Sequence, residues 1–194
     1  MSVSELMADI LKYKSYFRFS GGGVTLTGGE PLLQKEFAAG LFTACKAEGL
    51  HTTLDTAGYV DIDQATKEVL NHTDLVLLDI KSISADTFKK VTGFPINKTL
   101  EFAHYLSEQN INTWAVFVLV PGLTDKEEEL HELASFLTSL KNIKKVSIAP
   151  FHQMGAYKWH NINVKYKLED TLPPSFDETE RVRNIFRGYG FDVI

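Results

Sequence analysis

Short apolar runs rich in β-branched residues alternate with longer amphipathic stretches along this sequence, and that alternation limits the fold more than any other feature. Apolar runs bounded by turn residues predict strands at residues 23–27, 51–55, 75–80, 113–120 and 145–149. Helical spacing of apolar residues predicts helices at about residues 4–17, 32–48, 63–71, 99–109, 124–140 and 177–189. Repeated strand–helix units indicate an α/β fold with about five parallel strands and outer helices.

Residue types at the element boundaries support this division. Gly49 falls where a helix C-terminus favours a left-handed residue, and Pro31 falls where a helix begins. Thr124, followed three residues later by Glu127, predicts a capping box. Residues 151–174 contain two consecutive prolines and aromatic residues without a clear period, so they predict an irregular loop across a barrel mouth or sheet edge.

Composition excludes several functional classes. The chain has 194 residues, of which 44% are hydrophobic, and no repeat or linker divides it, so one domain over residues 1–194 is expected. The formal net charge is -5 and the basic residues are scattered, which argues against nucleic acid or an anionic membrane as a partner. The sequence shows neither a signal-peptide pattern nor an apolar stretch long enough to span a membrane, so a cytoplasmic protein is expected.

The sequence contains one cysteine, Cys45. One thiol cannot form an intrachain disulfide framework, and it cannot supply the several thiolates of an iron–sulfur site. Cys45 lies within a stretch of helical apolar spacing, where a free cysteine usually serves as a small buried apolar residue.

Polar residues follow four of the five predicted strands directly. The strands and their endings read GGGVTLTGGEP, HTTLDTAG, LVLLDIK and VSIAPFHQMG, whereas the fourth predicted strand, WAVFVLVPG, ends in a Pro-Gly turn. In parallel α/β folds, ligands bind beyond the carboxyl ends of the strands. The set of endings therefore predicts a binding site at this edge of the sheet.

The first ending, Gly28-Gly29-Glu30-Pro31, is the most informative. It is not a phosphate-binding loop, because Gly29 stands where a lysine is needed, and it does not fit the dinucleotide-binding pattern, because Leu26 stands at the third glycine position. Two glycines let the backbone approach a ligand closely, and a carboxylate at the following helix N-terminus suits an ammonium or other polar ligand. The alternative is a tight turn in which Glu30 only complements the helix dipole.

Five segments occur in an order that resembles the radical S-adenosylmethionine activating enzymes of the pyruvate formate-lyase type. They are GGGVTLTGGEPLLQ, KAEGLHTTLDTAGY, LVLLDIK, VPGLTD and FHQMGAYKW, and together they span essentially the whole chain. The last contains the pattern HxxGxxKW, formed here by His152, Gly155, Lys158 and Trp159.

This resemblance implies a partial (β/α) barrel of the radical SAM type that holds a [4Fe–4S] cluster and S-adenosylmethionine. An electron from the cluster cleaves the sulfonium, and the resulting 5′-deoxyadenosyl radical removes a hydrogen atom from a backbone glycine of a partner enzyme. The implied partners are a glycyl radical enzyme such as pyruvate formate-lyase and an electron donor such as flavodoxin or ferredoxin.

The resemblance also assigns roles to individual residues. Gly28, Gly29 and Glu30 would bind the amino group of S-adenosylmethionine. The resemblance also implies that four residues face the site and ligate a monovalent cation: Asp55, Thr56, Asp79 and, through its carbonyl, Leu77.

Lys81 and His152 match residues around the methionyl and ribose portions of the cofactor. Simpler alternatives remain for single residues: Asp55 as a helix cap, Lys81 as a solvated charge and His152 as a loop histidine.

Three features depart from the family pattern. The C-x3-C-x2-C cluster loop and the first barrel strand are missing, since the first residues already match the helix before the GGE strand. We expect an N-terminally truncated product, a misassigned start or half of a split gene rather than a naturally cluster-free descendant, and we expect the chain to be inactive alone. Val116 stands where the family commonly has an arginine, and valine cannot replace a carboxylate-binding guanidinium, which puts the affinity for S-adenosylmethionine in question. Ala57 stands where an asparagine is frequent, which is a milder change.

Two other functions fit parts of the pattern. Asp55, Asp79 and His152 are consistent with a metal-dependent lyase or hydrolase that uses a divalent ion with open coordination. A non-catalytic module that binds a protein through the barrel surface is the second alternative.

Overall fold

The computed structural model describes all of residues 1–194 and contains six strands and nine α-helices. The strands are β1 (Gly23–Leu26), β2 (His51–Thr56), β3 (Leu75–Asp79), β4 (Thr113–Leu119), β5 (Ile143–Pro150) and β6 (Asp192–Val193). The helices are α1 (Val3–Ile10), α2 (Lys14–Ser20), α3 (Lys35–Ala47), α4 (Gln64–Asn71), α5 (Ala85–Thr92), α6 (Asn97–Glu108), α7 (Glu127–Thr138), α8 (Ala156–Asn161) and α9 (Phe176–Gly188). Short 3₁₀ helices lie at Leu11–Tyr13, Pro31–Gln34 and Gln153–Gly155.

The strands form one sheet in the order β1-β2-β3-β4-β5-β6. β2 pairs in parallel with β1 and β3, and β5 pairs in parallel with β6. The predicted α/β alternation is confirmed, and all five predicted strands are present. The sixth was not predicted because two residues are too few to show a hydrophobic period.

The chain groups into two compact units. The first consists of Met1–Asp79, Asn97–Trp114 and Leu140–Ile143, and the second of Ile80–Ile96, Ala115–Ser139 and Lys144–Ile194. No helix combines the length and the apolar composition that crossing a membrane requires.

An apolar cluster in the first unit joins α1 to α3. Met7, Leu41, Cys45 and Leu50 are buried in it, and partly buried residues of α1, α3 and β1 pack around them. The prediction that Cys45 is a small buried residue is confirmed: it is 0% exposed, its Sγ lies 3.6 Å from the sulfur of Met7, and burial raises the pKa of its thiol. A thiol in this position is packed as part of the core.

Most of the predicted boundary signals in the first unit are confirmed. Gly49 has φ +69° after α3, and Pro31 is the first residue of a 3₁₀ helix. The predicted opening helix is divided into α1, a 3₁₀ turn and α2, which ends at Ser20 and is capped by Gly21 with φ 67°. Hydrophobic spacing did not reveal this division, because helical and 3₁₀ turns share similar periods.

In the second unit, the predicted capping box at α7 is wrong. The Thr124 hydroxyl donates to the carbonyl of Val118 at 2.8 Å and accepts from the amide of Val120 at 2.8 Å, so it closes the turn after β4. α7 begins at Glu127, and its N-cap, Lys126, has no side-chain capping bond.

Two short helices of the second unit were also not predicted. α5 begins after Ser84, whose side chain accepts a hydrogen bond from the amide of Thr87. α8 lies inside residues 151–174, which were expected to be irregular. A helix of six residues, such as α8, contains too few turns to give a clear apolar period.

A cluster of hydrogen bonds around Glu129 connects α7 to the segment that follows β3. One carboxylate oxygen accepts from Ser82 Oγ at 3.1 Å, and the other accepts from Thr87 Oγ1 at 3.0 Å and Lys126 Nζ at 2.9 Å. Burial alone would raise the pKa of Glu129, but the hydrogen bonds from Lys126, Thr87 and Ser82 outweigh it and lower that pKa. The cluster therefore stabilises the fold while Glu129 is ionised.

Gly58 provides a test of packing in the first unit. It has φ +64°, and a Cβ at this position would lie 2.8 Å from Phe102 Cδ1 and 3.0 Å from Leu78 Cδ1. Gly58→Ala should lower the free energy of unfolding by at least about 2 kcal/mol, because left-handed strain and overpacking add. Gly93→Ala is the matched control, since Gly93 has φ +83° but nothing within 4 Å of a Cβ; its loss should be about 1 kcal/mol. If Gly58→Ala and Gly93→Ala lose the same unfolding free energy in urea, the close packing around Gly58 is contradicted.

The Glu129 cluster predicts a pH dependence of stability. Since the folded-state pKa lies below the ordinary value of 4.5, its contribution is present above pH 4.5 and is lost as pH falls through the folded-state pKa. At pH 7, Glu129→Gln should be about 1 to 2 kcal/mol less stable than the parent, and this difference should shrink as pH falls below 4.5. Glu128→Gln, exposed on the same turn, is the control and should match the parent throughout. A pH-independent Glu129→Gln difference in urea unfolding would refute the prediction.

Candidate functional site

The turn after β1 leaves open space beside two glycines. Gly28 has φ +134°, a backbone conformation that favours glycine, and a Cβ on either Gly28 or Gly29 would have no neighbour within 4 Å. The turn therefore exposes its backbone to any ligand that approaches the carboxyl end of β1.

Glu30 fastens this turn to the end of β2. One carboxylate oxygen of Glu30 accepts from the amide of Leu32 at 3.0 Å and from Thr56 Oγ1 at 2.7 Å. The other accepts from the amide of Ala57 at 3.0 Å. Glu30 is thus the N-cap of the 3₁₀ helix, as the simpler alternative held, but it also joins two strand ends. Three donors leave this carboxylate with one further acceptor position.

Ala57, which follows β2, is held through both of its backbone groups. Its amide donates to Glu30, and its carbonyl accepts from Thr99 Oγ1 of α6 at 3.0 Å. The Thr56 hydroxyl, which donates to Glu30, accepts from the amide of Gly58 at 3.0 Å. The side chain of Thr56 is therefore already engaged, and its predicted role as a cation ligand remains a prediction.

Asp55 and Asp79 share one face of the sheet. Asp55 lies opposite Leu77 in the parallel register, and Asp79 follows two residues later on the same face. Thr27 Oγ1 donates to a carboxylate oxygen of Asp55 at 2.7 Å. Sequence reasoning missed Thr27; its place between β1 and the two glycines was the available signal.

These oxygens form a hard donor set. Carboxylate, hydroxyl and carbonyl oxygens are the ligands that hard cations prefer, so Asp55, Asp79 and the Leu77 carbonyl are chemically suited to a monovalent cation. The structure contains no group of three or more His, Cys, Asp or Glu side chains arranged to hold a metal ion. Asp55 and Asp79 belong to the first unit and His152 to the second, and the divalent-metal hydrolase built on these three residues remains an alternative.

A cavity of about 310 Å³ opens beside the glycine turn. Thr27, Gly29 and Glu30 supply polar groups to its lining, and the rest of the lining comes from Leu26, Pro31, Leu33, Gln34, Phe37 and Ala38. This volume is at the lower end of the range of small-molecule sites. Open glycines, oxygen donors and an adjacent cavity fit a small polar ligand with an amino group.

The remaining candidates belong to the second unit. Lys81 lies two residues beyond β3 and is partly buried, and His152 lies two residues beyond β5 and is exposed. Val116 lies inside β4, where its carbonyl accepts from the amide of Ile80 at 3.0 Å. The roles of Lys81 and His152 toward a cofactor, and the consequence of Val116, remain predictions.

An iron–sulfur cluster does not fit residues 1–194. Such clusters are held by several thiolates, whereas the one thiol here, Cys45, is enclosed in the apolar cluster of the first unit. The candidate binding residues of the first unit offer carboxylate, hydroxyl and backbone groups and no thiolate.

Comparison with known proteins identifies the family of this chain. The model of the radical SAM superfamily matches residues 1–134. The chain is 40% identical over 195 residues to pyruvate formate-lyase 1-activating enzyme of Escherichia coli strain K12, covering 100% of this chain and 79% of the relative. It is 45% identical over 197 residues to the pyruvate formate-lyase-activating enzyme of Staphylococcus epidermidis, covering 99% of this chain and 77% of the relative.

Solved structures share the fold. A domain of pyruvate-formate lyase-activating enzyme from Bacteroides vulgatus matches with a TM-score of 0.74 at 24% identity, covering 89% of this chain and 98% of that one. Streptococcus suis SuiB bound to S-adenosylmethionine matches with a TM-score of 0.71 at 20% identity, covering 100% of this chain and 44% of that one. The predicted partial barrel of the radical SAM type is confirmed. The family match and the identity along the whole chain show that this protein belongs to the radical SAM superfamily, among the pyruvate formate-lyase-activating enzymes.

Proposed function

We propose that this chain has the function of a glycyl-radical-enzyme activase. We propose further that it binds S-adenosylmethionine beyond the carboxyl ends of β1 to β3. The observation that carries the proposal is the open Gly28-Gly29 turn, which Glu30 fastens to the end of β2. Exposed carbonyls and one remaining carboxylate acceptor position suit the ammonium group of an amino-acid cofactor.

The acidic side chains near the glycine turn have a second proposed role, which is to hold a cation. Asp55, Asp79 and the carbonyl of Leu77 would hold a monovalent cation, and that cation would offset the negative charge of the cofactor's carboxylate. Thr27 orients Asp55 through its 2.7 Å hydrogen bond. In the second unit, Lys81 and His152 would contact the methionyl and ribose portions of S-adenosylmethionine.

Radical SAM enzymes use a [4Fe–4S] cluster, which when bound supplies the electron that cleaves the sulfonium. Residues 1–194 contain a single cysteine, and it is buried in the core. We therefore propose that a polypeptide of these residues alone binds S-adenosylmethionine but does not cleave it.

The partners follow from the family. The relatives named above act on pyruvate formate-lyase, so we propose a glycyl radical enzyme of this type as the protein substrate. An electron donor such as flavodoxin or ferredoxin, and a cytoplasmic location, are part of the same proposal. Residues 1–194 would act as one functional domain.

Two measurements on the 194-residue chain test this function. Isothermal titration with S-adenosylmethionine should show binding at one site per chain. After anaerobic reconstitution with iron and sulfide, the same chain should release no 5′-deoxyadenosine from S-adenosylmethionine. Failure to bind S-adenosylmethionine would contradict the site and favour a protein-binding module, and release of 5′-deoxyadenosine would contradict the argument from cysteine.

Glu30→Gln tests the hydrogen bonds that connect the turn after β1 to the end of β2. Glutamine keeps only one of the two acceptor oxygens, so the part-buried amide of either Ala57 or Leu32 loses its acceptor. The variant should be about 1 to 3 kcal/mol less stable in urea unfolding, and its affinity for S-adenosylmethionine should fall about ten-fold. Glu36→Gln makes the same charge change at an exposed position in the first turn of α3 and should resemble the parent. Parent-like affinity in Glu30→Gln would show that this carboxylate does not shape the site.

A further inference from the structure

An exposed segment of the second unit follows directly on β5. Residues 153–168, termed here the aromatic arm, comprise a 3₁₀ turn, α8 and the loop after it. Five of its large apolar side chains are between 43% and 74% exposed: Met154, Tyr157, Trp159, Ile162 and Val164. So many exposed apolar groups within a few residues are typical of an interaction surface.

Hydrogen bonds and ring contacts hold the arm in a defined shape. Gln153 Nε2 donates to the carbonyls of Leu168 at 2.7 Å, Glu169 at 3.2 Å and Thr171 at 2.8 Å. The ring of Trp159 stacks on that of Tyr166 with centroids 5.8 Å apart. The polar groups thus fix the ends of the arm together while its apolar groups face solvent. A surface fixed before binding loses less conformational entropy when a partner docks.

The turn within the arm is equally well defined. Asn163 has φ 53°, and its amide donates to the carbonyl of His160 at 3.0 Å, while the amide of Val164 donates to the carbonyl of Trp159 at 3.0 Å. These bonds end α8 and direct the chain back, so that Tyr166 reaches Trp159.

The arm is basic in an acidic protein. It contains Lys158, Lys165 and Lys167 and neither Asp nor Glu, so it carries +3, whereas the whole chain carries -5. The acidic residues Glu169 and Asp170 follow at its end. All three lysines are exposed. Elsewhere, seven lysines form ion pairs with carboxylates of the protein: Lys12, Lys14, Lys35, Lys46, Lys98, Lys126 and Lys145.

Three of the four residues of the HxxGxxKW pattern, Gly155, Lys158 and Trp159, also lie in the arm. His152 is a candidate for the cofactor site, but Lys158 is exposed and Trp159 forms the stacked pair of the arm. The proposed cofactor contacts include His152 but neither Lys158 nor Trp159. The position of these two residues on the surface indicates contact with another molecule.

We propose that the aromatic arm is the docking surface for an acidic surface segment of the glycyl radical enzyme, an inference that rests on the proposed function. An acidic segment would be repelled by most of this chain and attracted to the arm, so charge would direct the partner there. The exposed apolar groups would then supply the buried centre of the interface, with the lysines around them.

Binding of the 194-residue chain to intact Escherichia coli pyruvate formate-lyase tests the proposal. Biolayer interferometry at low and high salt should show binding that weakens as salt rises. The triple variant Lys158→Glu, Lys165→Glu, Lys167→Glu should bind at least about ten times more weakly and should lose most of the salt dependence. The matched control reverses three other exposed lysines, Lys90→Glu, Lys141→Glu and Lys144→Glu, and should change the Kd less than about three-fold.

A second variant tests the apolar groups. Tyr157→Ser with Ile162→Ser removes two exposed side chains without touching the Trp159–Tyr166 stack. It should weaken binding to pyruvate formate-lyase about ten-fold while the thermal unfolding midpoint stays within about 2 °C of the parent.

Several results would overturn the proposal. They are absence of binding by the parent chain, equal weakening by the arm and control lysine variants, or full binding by both arm variants. Binding of the parent, but not of the lysine variant, to phosphatidylserine vesicles without any binding to pyruvate formate-lyase would assign the arm to a membrane instead. S-adenosylmethionine titration of the same preparations reports separately on the proposed function, since a chain that binds the cofactor but not the enzyme refutes the docking surface alone.

Discussion

The half-buried carboxylate of Glu30 is the contact on which the candidate site depends. It accepts three hydrogen bonds, from Leu32, Thr56 and Ala57, and so holds the turn after β1 against the end of β2. A carboxylate that loses water needs such donors, because an unmatched buried charge would cost several kcal/mol. The same bonds allow Gly28 to remain open to solvent, since the turn is fixed from one side only. Glu30 therefore fixes the turn while the backbone of its glycines stays accessible.

The fold was largely predictable from sequence because the strands are runs of apolar or β-branched residues bounded by turn residues. β2 and β3 were located to within one residue at each end, and their register places Asp55 and Leu77 side by side as expected of neighbouring parallel strands. The wrong or missing predictions have two physical causes. α8 and β6 are too short to show a period, and Thr124 took a role in a turn that its spacing from Glu127 did not reveal.

The candidate site was less predictable, because sequence position does not determine hydrogen-bond partners. The strand-end rule brought Glu30 and Asp55 to one edge of the sheet, yet it did not show that Glu30 binds the β2 end or that Thr27 binds Asp55. The hydrogen bonds of Gln153 were also not predictable from the sequence. Its three carbonyl partners lie 15 to 18 residues away in the chain, so only the folded structure relates them.

The chemistry of the available atoms separates what this chain can bind from what it cannot. Its candidate site offers backbone groups, carboxylates and hydroxyls, which suit an amino-acid cofactor and a hard cation. Iron–sulfur chemistry needs soft thiolates, and the one thiol, Cys45, packs against Met7 in the core, where burial raises its pKa and disfavours the thiolate. Moving Cys45 to a ligand position would require opening the α1–α3 cluster. The proposed cofactor binding and protein docking therefore use groups that residues 1–194 contain, whereas cluster ligation needs thiolates that these residues do not offer.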